Sequence, residues 1–315
     1  MIENNSTVEG CVFHSFYLNM RTLVVLILYP IVCFVGIPAN IIGAVVLLRE
    51  KKKSTTTIIL LSITVSDLIH IVNDFLYFVC IVLETIVDVK TSHQALDVIH
   101  PYTIYMYYTT ITCTAWMTVT VAVERYINVC HASKAKQICT VTRAIYTSIG
   151  IMIVAMAISI PYGFDMCPKY DNSMNKSENT NMSVCAMKTI YHLSYYLIRT
   201  VLPIVLVVVL SCFIIRRLKG SRLIQARNKM TITLIIVLTT FVVCVLPDMV
   251  VSTIAMAMCY NDNCLIIQGA LQITDFLLLV NSVLNIIIYS ASNTIFKNAF
   301  KRMLNCRKTS NDLLM

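Results

Sequence analysis

The sequence predicts an all-α membrane protein built as a seven-transmembrane helix bundle, and three observations carry that prediction. Long apolar stretches alternate with short polar links. Only 13% of the 315 residues are charged while 57% are hydrophobic, with a mean hydropathy of +0.76. Lys and Arg crowd into every second link. A soluble domain carries nearer a quarter charged residues, and about 20 apolar residues in helical form cross a bilayer core.

In chain order the spans are expected at Arg21 to Leu48, Thr57 to Ile86, Pro101 to Val129, Val141 to Phe164, Ile190 to Ile215, Met230 to Met258 and Leu265 to Tyr289. This divides the chain into an N-terminal segment (1–20), a membrane domain (21–293) and a C-terminal part (294–315). No stretch remains for a separate catalytic domain, and the first span is expected to act as an uncleaved targeting signal.

Orientation follows from charge. Arg49 and Lys51 to Lys53 flank the first link, Arg125, Lys134, Lys136 and Arg143 the third, Arg216 to Lys229 the fifth, and Lys297 to Lys308 the tail. The positive-inside rule therefore places these links in the cytoplasm and the N-terminus outside. The net charge of +9 sits where it meets anionic headgroups, so membrane lipid rather than nucleic acid is the expected partner. Sequons at Asn4, Asn5, Asn175 and Asn181 all fall outside in this topology and are glycosylation candidates.

Polar side chains within the spans narrow the function. Asn40, Asp67, Thr114, Asn281, Ser282 and Asn285 either form a hydrated cluster able to hold a sodium ion, with no other cofactor implied, or serve as hydrogen bonds between helices. Glu124-Arg125-Tyr126 closes the third span at its cytoplasmic end, where the guanidinium can hold the adjacent carboxylate or exchange it for another partner. The His residues are scattered, without His-Glu-x-x-His spacing or a Gly-rich phosphate loop, so no enzyme is indicated.

With Gly36, Asn40, Asp67, Glu124-Arg125-Tyr126, Phe241 to Pro247 and Asn285-Ile286-Ile287-Ile288-Tyr289 in place, the chain resembles the rhodopsin-like (class A) G-protein-coupled receptors. The resemblance implies an extracellular ligand, a heterotrimeric G protein as transducer at Arg125, Tyr126 and Tyr289, a plasma-membrane location, and a short amphipathic eighth helix at Phe296 to Arg302. Trp116 to Ala132, followed by Lys134 to Thr140, is similar to invertebrate neuropeptide receptors of the FMRFamide, myosuppressin and sex-peptide group. Three positions depart from the pattern: Val245 replaces the Trp before Leu246-Pro247, Ile286 replaces the Pro after Asn285, and the only Trp is Trp116.

His100 stands where this family carries the cysteine that staples the second extracellular loop. Cys167 with Cys185 and Cys259 with Cys264 are two candidate disulfide pairs, with Cys11 a competing partner and free thiols the other reading. Cys306 is a palmitoylation candidate. Amine receptors place an Asp where Tyr107 stands, and opsins need a Lys that the seventh span lacks.

Three outer carboxylates remain: Asp74, Asp248 and Asp275. They can accept a guanidinium, with Tyr107 and Tyr108 adding aromatic surface alongside Tyr105, Tyr195 and Tyr196. A cationic, amidated neuropeptide fits that pattern. Alternatively, the carboxylates pair internally with Arg199 or Lys188 and the tyrosines pack or form an interfacial belt. Other functions consistent with the sequence are a chemosensory receptor for small molecules and, from a different class, a transporter or channel.

Overall fold

The computed structural model describes residues 14–50, 53–86, 89–163, 190–219, 225–258 and 265–292. Among them every regular element is helical. Span one is the helix His14–Leu48, span two Thr55–Ile86, span three Val89–Cys130, span four Val141–Gly163, span six Gln225–Met258 and span seven Leu265–Ser292. Span five runs over Ile190–Arg217, and a short helix, Ala132–Ile138, lies between spans three and four. The expected amphipathic helix, Cys306, the disulfide candidates Cys167, Cys185, Cys259 and Cys264, and Asn4, Asn5, Asn175 and Asn181 lie outside the described residues.

Six of these helices are long and apolar enough to cross a membrane; span three is not among them, and its position explains why. It is the central helix, packed against spans two, four, five and six and the short helix, so protein rather than lipid surrounds much of it. Threonine can then replace valine. Thr110, Thr112, Thr118 and Thr120 each donate their hydroxyl to the carbonyl four residues back, at 2.7–2.9 Å, which satisfies the hydroxyl within its own helix. Span three also begins earlier than expected, at Val89 rather than Pro101.

The outer surfaces of the remaining spans are apolar. Phe34, Ile153, Val205 and Val243 are exposed, as lipid-facing positions must be. Inside, one apolar core joins Ile59, Ile63, Val121 and Ile286, and another joins Ala122, Val207, Leu238 and Phe241.

Two local features position the functional groups. Stretches of π-helix occur at Arg21–Leu28 and Leu197–Val201, each just before a proline, Pro30 and Pro203. Proline has no N–H to return to the carbonyl four residues back, and the chain accommodates this by bonding five residues back, Tyr29 N–H to Val24 and Leu202 N–H to Leu197. The second stretch carries Arg199. Spans one and seven also approach closely: a Cβ on Gly36 would lie 2.6 Å from Val283, and one on Gly43 would lie 2.1 Å from Ile286. The isoleucine at the position where proline was expected thus fits against a glycine.

Candidate functional site

The buried polar groups form three clusters along the bundle, named outer, central and cytoplasmic after the orientation expected from the charge pattern. The outer one contains all three expected carboxylates. Asp248 of span six is 3% exposed and ion-paired at 2.9 Å with the Nη2 of Arg199, itself 4% exposed. Ser252 donates to the other oxygen of Asp248 at 3.1 Å. Asp275 of span seven accepts the Tyr107 hydroxyl from span three, and Arg199, Asp248 and Asp275 interact electrostatically. Asp74 of span two lies in the field of Asp275; its Oδ2 and the His70 Nε2 are 3.6 Å apart, beyond hydrogen-bond length, and neither has a hydrogen-bond partner. The buried Gln272 Oε1, one turn before Asp275, also lacks a donor. Asp248 and Asp275 therefore share one guanidinium, Asp74 lies beside Asp275 and His70, and the atoms left without hydrogen-bond partners include two acceptors.

The tyrosines divide into two groups. Tyr107 points its hydroxyl at Asp275. Tyr108, Tyr162, Tyr191 and Tyr195 pack on one another, the tightest pair being Tyr108 and Tyr162 with ring centroids 4.1 Å apart. Tyr195 commits its hydroxyl to Thr112 and Ser159, and Tyr162 to His192. Tyr196 bonds the Met249 carbonyl and Thr253, and the Arg199 guanidinium lies 5.3 Å from the Tyr108 ring centre. For Tyr195 and Tyr196 the packing alternative describes the geometry; Tyr105 donates to the Met156 carbonyl at 3.3 Å.

The central cluster surrounds Asp67, which is fully buried. Its two oxygens accept from Thr114 and Asn285, each at 3.0 Å. Asn40 donates to the Gly36 and Ser282 carbonyls. The side-chain oxygens of Asn40, Asn281 and Asn285 are buried without donors. Such a set, rich in oxygen acceptors and short of donors, has the chemistry of a small hard cation site.

At the cytoplasmic end, Glu124 and Arg125 are 3.5 Å apart, and Thr56 of span two lies between them. Its hydroxyl donates to Glu124 Oε1 at 2.8 Å and accepts from Arg125 Nη2 at 2.6 Å, while Asn128 adds a bond to Glu124 at 3.1 Å. Tyr126 stacks edge-on with His131 and Phe213. Thr55 donates to the Cys139 carbonyl at 2.9 Å, tying span two to the link after the short helix. Burial pushes the Cys139 thiol up, with Glu124 adding and Arg125 opposing. The Tyr289 side chain lies outside the described residues, although its helix is described.

Sequence reasoning missed Thr56, Gln272 and His70. The run Ser54-Thr55-Thr56-Thr57 was a visible signal for the first; Ser54 caps the helix through the Thr57 N–H at 3.1 Å. Nothing in the local sequence marks the other two.

Comparison with known proteins agrees with this geometry. The profile of the 7 transmembrane receptor (rhodopsin family) matches residues 39–289. The sex peptide receptor of Drosophila melanogaster is 25% identical over 231 residues, covering 61% of this chain and 52% of that receptor. The FMRFamide receptor of the same fly is 26% identical over 218 residues, covering 64% of this chain and 39% of that receptor. The 5-hydroxytryptamine receptor 1B of Didelphis virginiana is 38% identical over 94 residues, 30% of this chain and 24% of that receptor. The chain spans about half the length or less of these curated relatives. A helical bundle of this form, carrying the motif residues at 40, 67, 124–126 and 285–289 within the matched region, is a multi-pass membrane receptor rather than an enzyme: the chain belongs to the rhodopsin family of seven-transmembrane receptors.

Proposed function

We propose that this receptor binds a cationic, amidated neuropeptide at its outer cluster and activates a heterotrimeric G protein at its cytoplasmic end. The observation that carries the reading is the charge imbalance among Asp74, Asp248, Asp275 and Arg199, with unpartnered acceptors on Asp74 and Gln272. Buried carboxylates are stable when paired, and a ligand guanidinium supplies the missing cation with donors in a planar fork. Because Asp248 already holds Arg199, the ligand's cation goes first to Asp275 and Asp74. Two of the relatives are named for a peptide ligand or an amidated one. The third is named for an amine; against an amine here, Tyr107 stands where amine receptors place their carboxylate.

In this reading the N-terminus and its sequons face outward, the receptor sits in the plasma membrane, and a sodium ion is held by Asp67 with oxygens from Thr114, Ser282, Asn281 and Asn285. The ion supplies charge neutralisation for the buried carboxylate. Ligand binding shifts a population toward the state that the G protein grips, through Arg125, Tyr126 and Tyr289.

The test is a panel of amidated neuropeptides, each paired with an analogue whose Arg or Lys is replaced by a neutral isostere, read by GTP exchange on a G protein. The expected result is exchange driven by a cationic member and lost with its neutral analogue. Equal responses to both analogues overturn the cationic reading.

A further inference from the structure

The ion pair between Arg199 and Asp248 joins two helices that share an apolar core through Ile204, Val207, Leu238 and Phe241 but, among the described residues, pack less closely than spans six and seven. Polar links gather at their outer ends: the ion pair at 2.9 Å, the Tyr196 hydroxyl on the Met249 carbonyl, and Tyr196 with Thr253 at 3.0 Å. Both helices are locally weakened at this level. Arg199 lies in the π-helical stretch before Pro203, and Asp248 directly follows Pro247, which returns no hydrogen bond to the Val243 carbonyl. The charge pair is thus set where both helices are weakened, beside the apolar core that Ile204 and Val207 share with Leu238, Phe241 and Val245.

The surroundings of Arg199 add a second argument. Its Nε donates to Thr200 at 3.1 Å, its face lies over Tyr108, and its charge is felt by Asp248 and Asp275. The chain thus supplies its own guanidinium to a carboxylate cluster that we read as the seat of a ligand's cation. A buried pair of this kind gives little net stability against apolar residues of the same shape, and its best-attested use is in fixing a register or a switch.

We propose that Arg199 and Asp248 form an autoinhibitory latch: with Arg199 standing in for the ligand's cation, the pair holds span six against span five in the ligand-free receptor. The idea rests on the cationic reading of the outer cluster for what opens the latch, but not for the latch itself. Breaking it frees the outer half of span six and raises the fraction of active receptor.

The test uses the full chain in lipid nanodiscs with no ligand present. Ligand-free GTP exchange on added G protein and hydrogen exchange of the span-six peptide containing Met249 to Ala255 are measured for wild type, Arg199→Gln, Asp248→Asn, the double neutral R199Q/D248N and the reversed pair R199D/D248R. Each neutral variant is expected to raise ligand-free exchange by about threefold or more and to speed hydrogen exchange, with the reversed pair returning both toward wild type. A single variant that leaves an unpaired buried charge can fail to fold; the double neutral carries no such charge and decides the matter then. A double neutral indistinguishable from wild type in both measurements overturns the latch, as does a reversed pair as active as the single variants. Since no ligand is used, these results are independent of the peptide panel, and the hydrogen-exchange arm, which needs no G protein, keeps failure of the latch distinct from failure of the proposed function.

Discussion

The outer and cytoplasmic polar clusters use the same side-chain chemistry and differ in how their charges are matched. At the cytoplasmic end one carboxylate faces one guanidinium, and the Thr56 hydroxyl bonds both. At the outer end Asp248 and Asp275 share Arg199 with Asp74 alongside, and acceptors on Asp74 and Gln272 have no donor. The first arrangement matches one charge to one charge within the chain, although Glu124 Oε2 is also buried without a hydrogen-bond donor, and we read it as holding a state. The second carries more carboxyl groups than cations, and we read it as open to an external cation. A receptor needs both, because a ligand can shift only an equilibrium that something else holds on the inactive side.

The largest expected effect tests the open end. Asp275→Asn should lower the potency of a cationic peptide agonist by about 100-fold, the scale of removing one partner of a buried charge-assisted pair, with surface expression kept. A concentration–response curve checks this; an unchanged midpoint removes Asp275 from the site. Next comes the closed end. Thr56→Val deletes the hydroxyl bridging Glu124 and Arg125, and hydrogen bonds to charged groups are worth about 1.5–3 kcal/mol. Ligand-free GTP exchange should rise about tenfold, and a lower basal rate contradicts the holding role.

Those two clusters show how far the sequence could be read. Apolar length gave the bundle, because lipid imposes one requirement on each span regardless of tertiary context. Span three escaped the hydropathy criterion for the opposite reason: its neighbours are protein, and its threonines bond back to their own helix. Glu124-Arg125-Tyr126 was legible because its members are adjacent in sequence. Thr56 was not, since it meets them across 68 or 69 residues. The pairing of Arg199 with Asp248 was visible only as one alternative, because the π-helical stretch that sets the facing of Arg199 depends on Pro203 and has no hydrophobic period. The tyrosines carried an ambiguous signal; ring packing and internally committed hydroxyls account for Tyr195 and Tyr196, while Tyr107 remains tied to Asp275.

Smaller effects test the frame that holds the two ends apart. Gly43→Ala places a methyl against Ile286 and should cost about 1–3 kcal/mol of stability by overpacking, seen as a lower unfolding temperature in detergent. Adding Ile286→Val should recover part of it; no recovery assigns the cost to another contact. Smallest is Tyr195→Phe, which removes a hydroxyl bonded to Thr112 and Ser159. It should lower stability by about 1 kcal/mol and leave agonist potency within about twofold, whereas a large potency change would return Tyr195 to the ligand site.

The most direct measurement is a charge cycle at the open end: the potency ratio between a cationic amidated agonist and its neutral isostere, taken on wild type and on Asp275→Asn. The account predicts a ratio of about 100 on wild type that falls toward about one on the variant. The same ratio on both would contradict it, because the ligand's charge would then be recognised somewhere other than the carboxylates of the outer cluster.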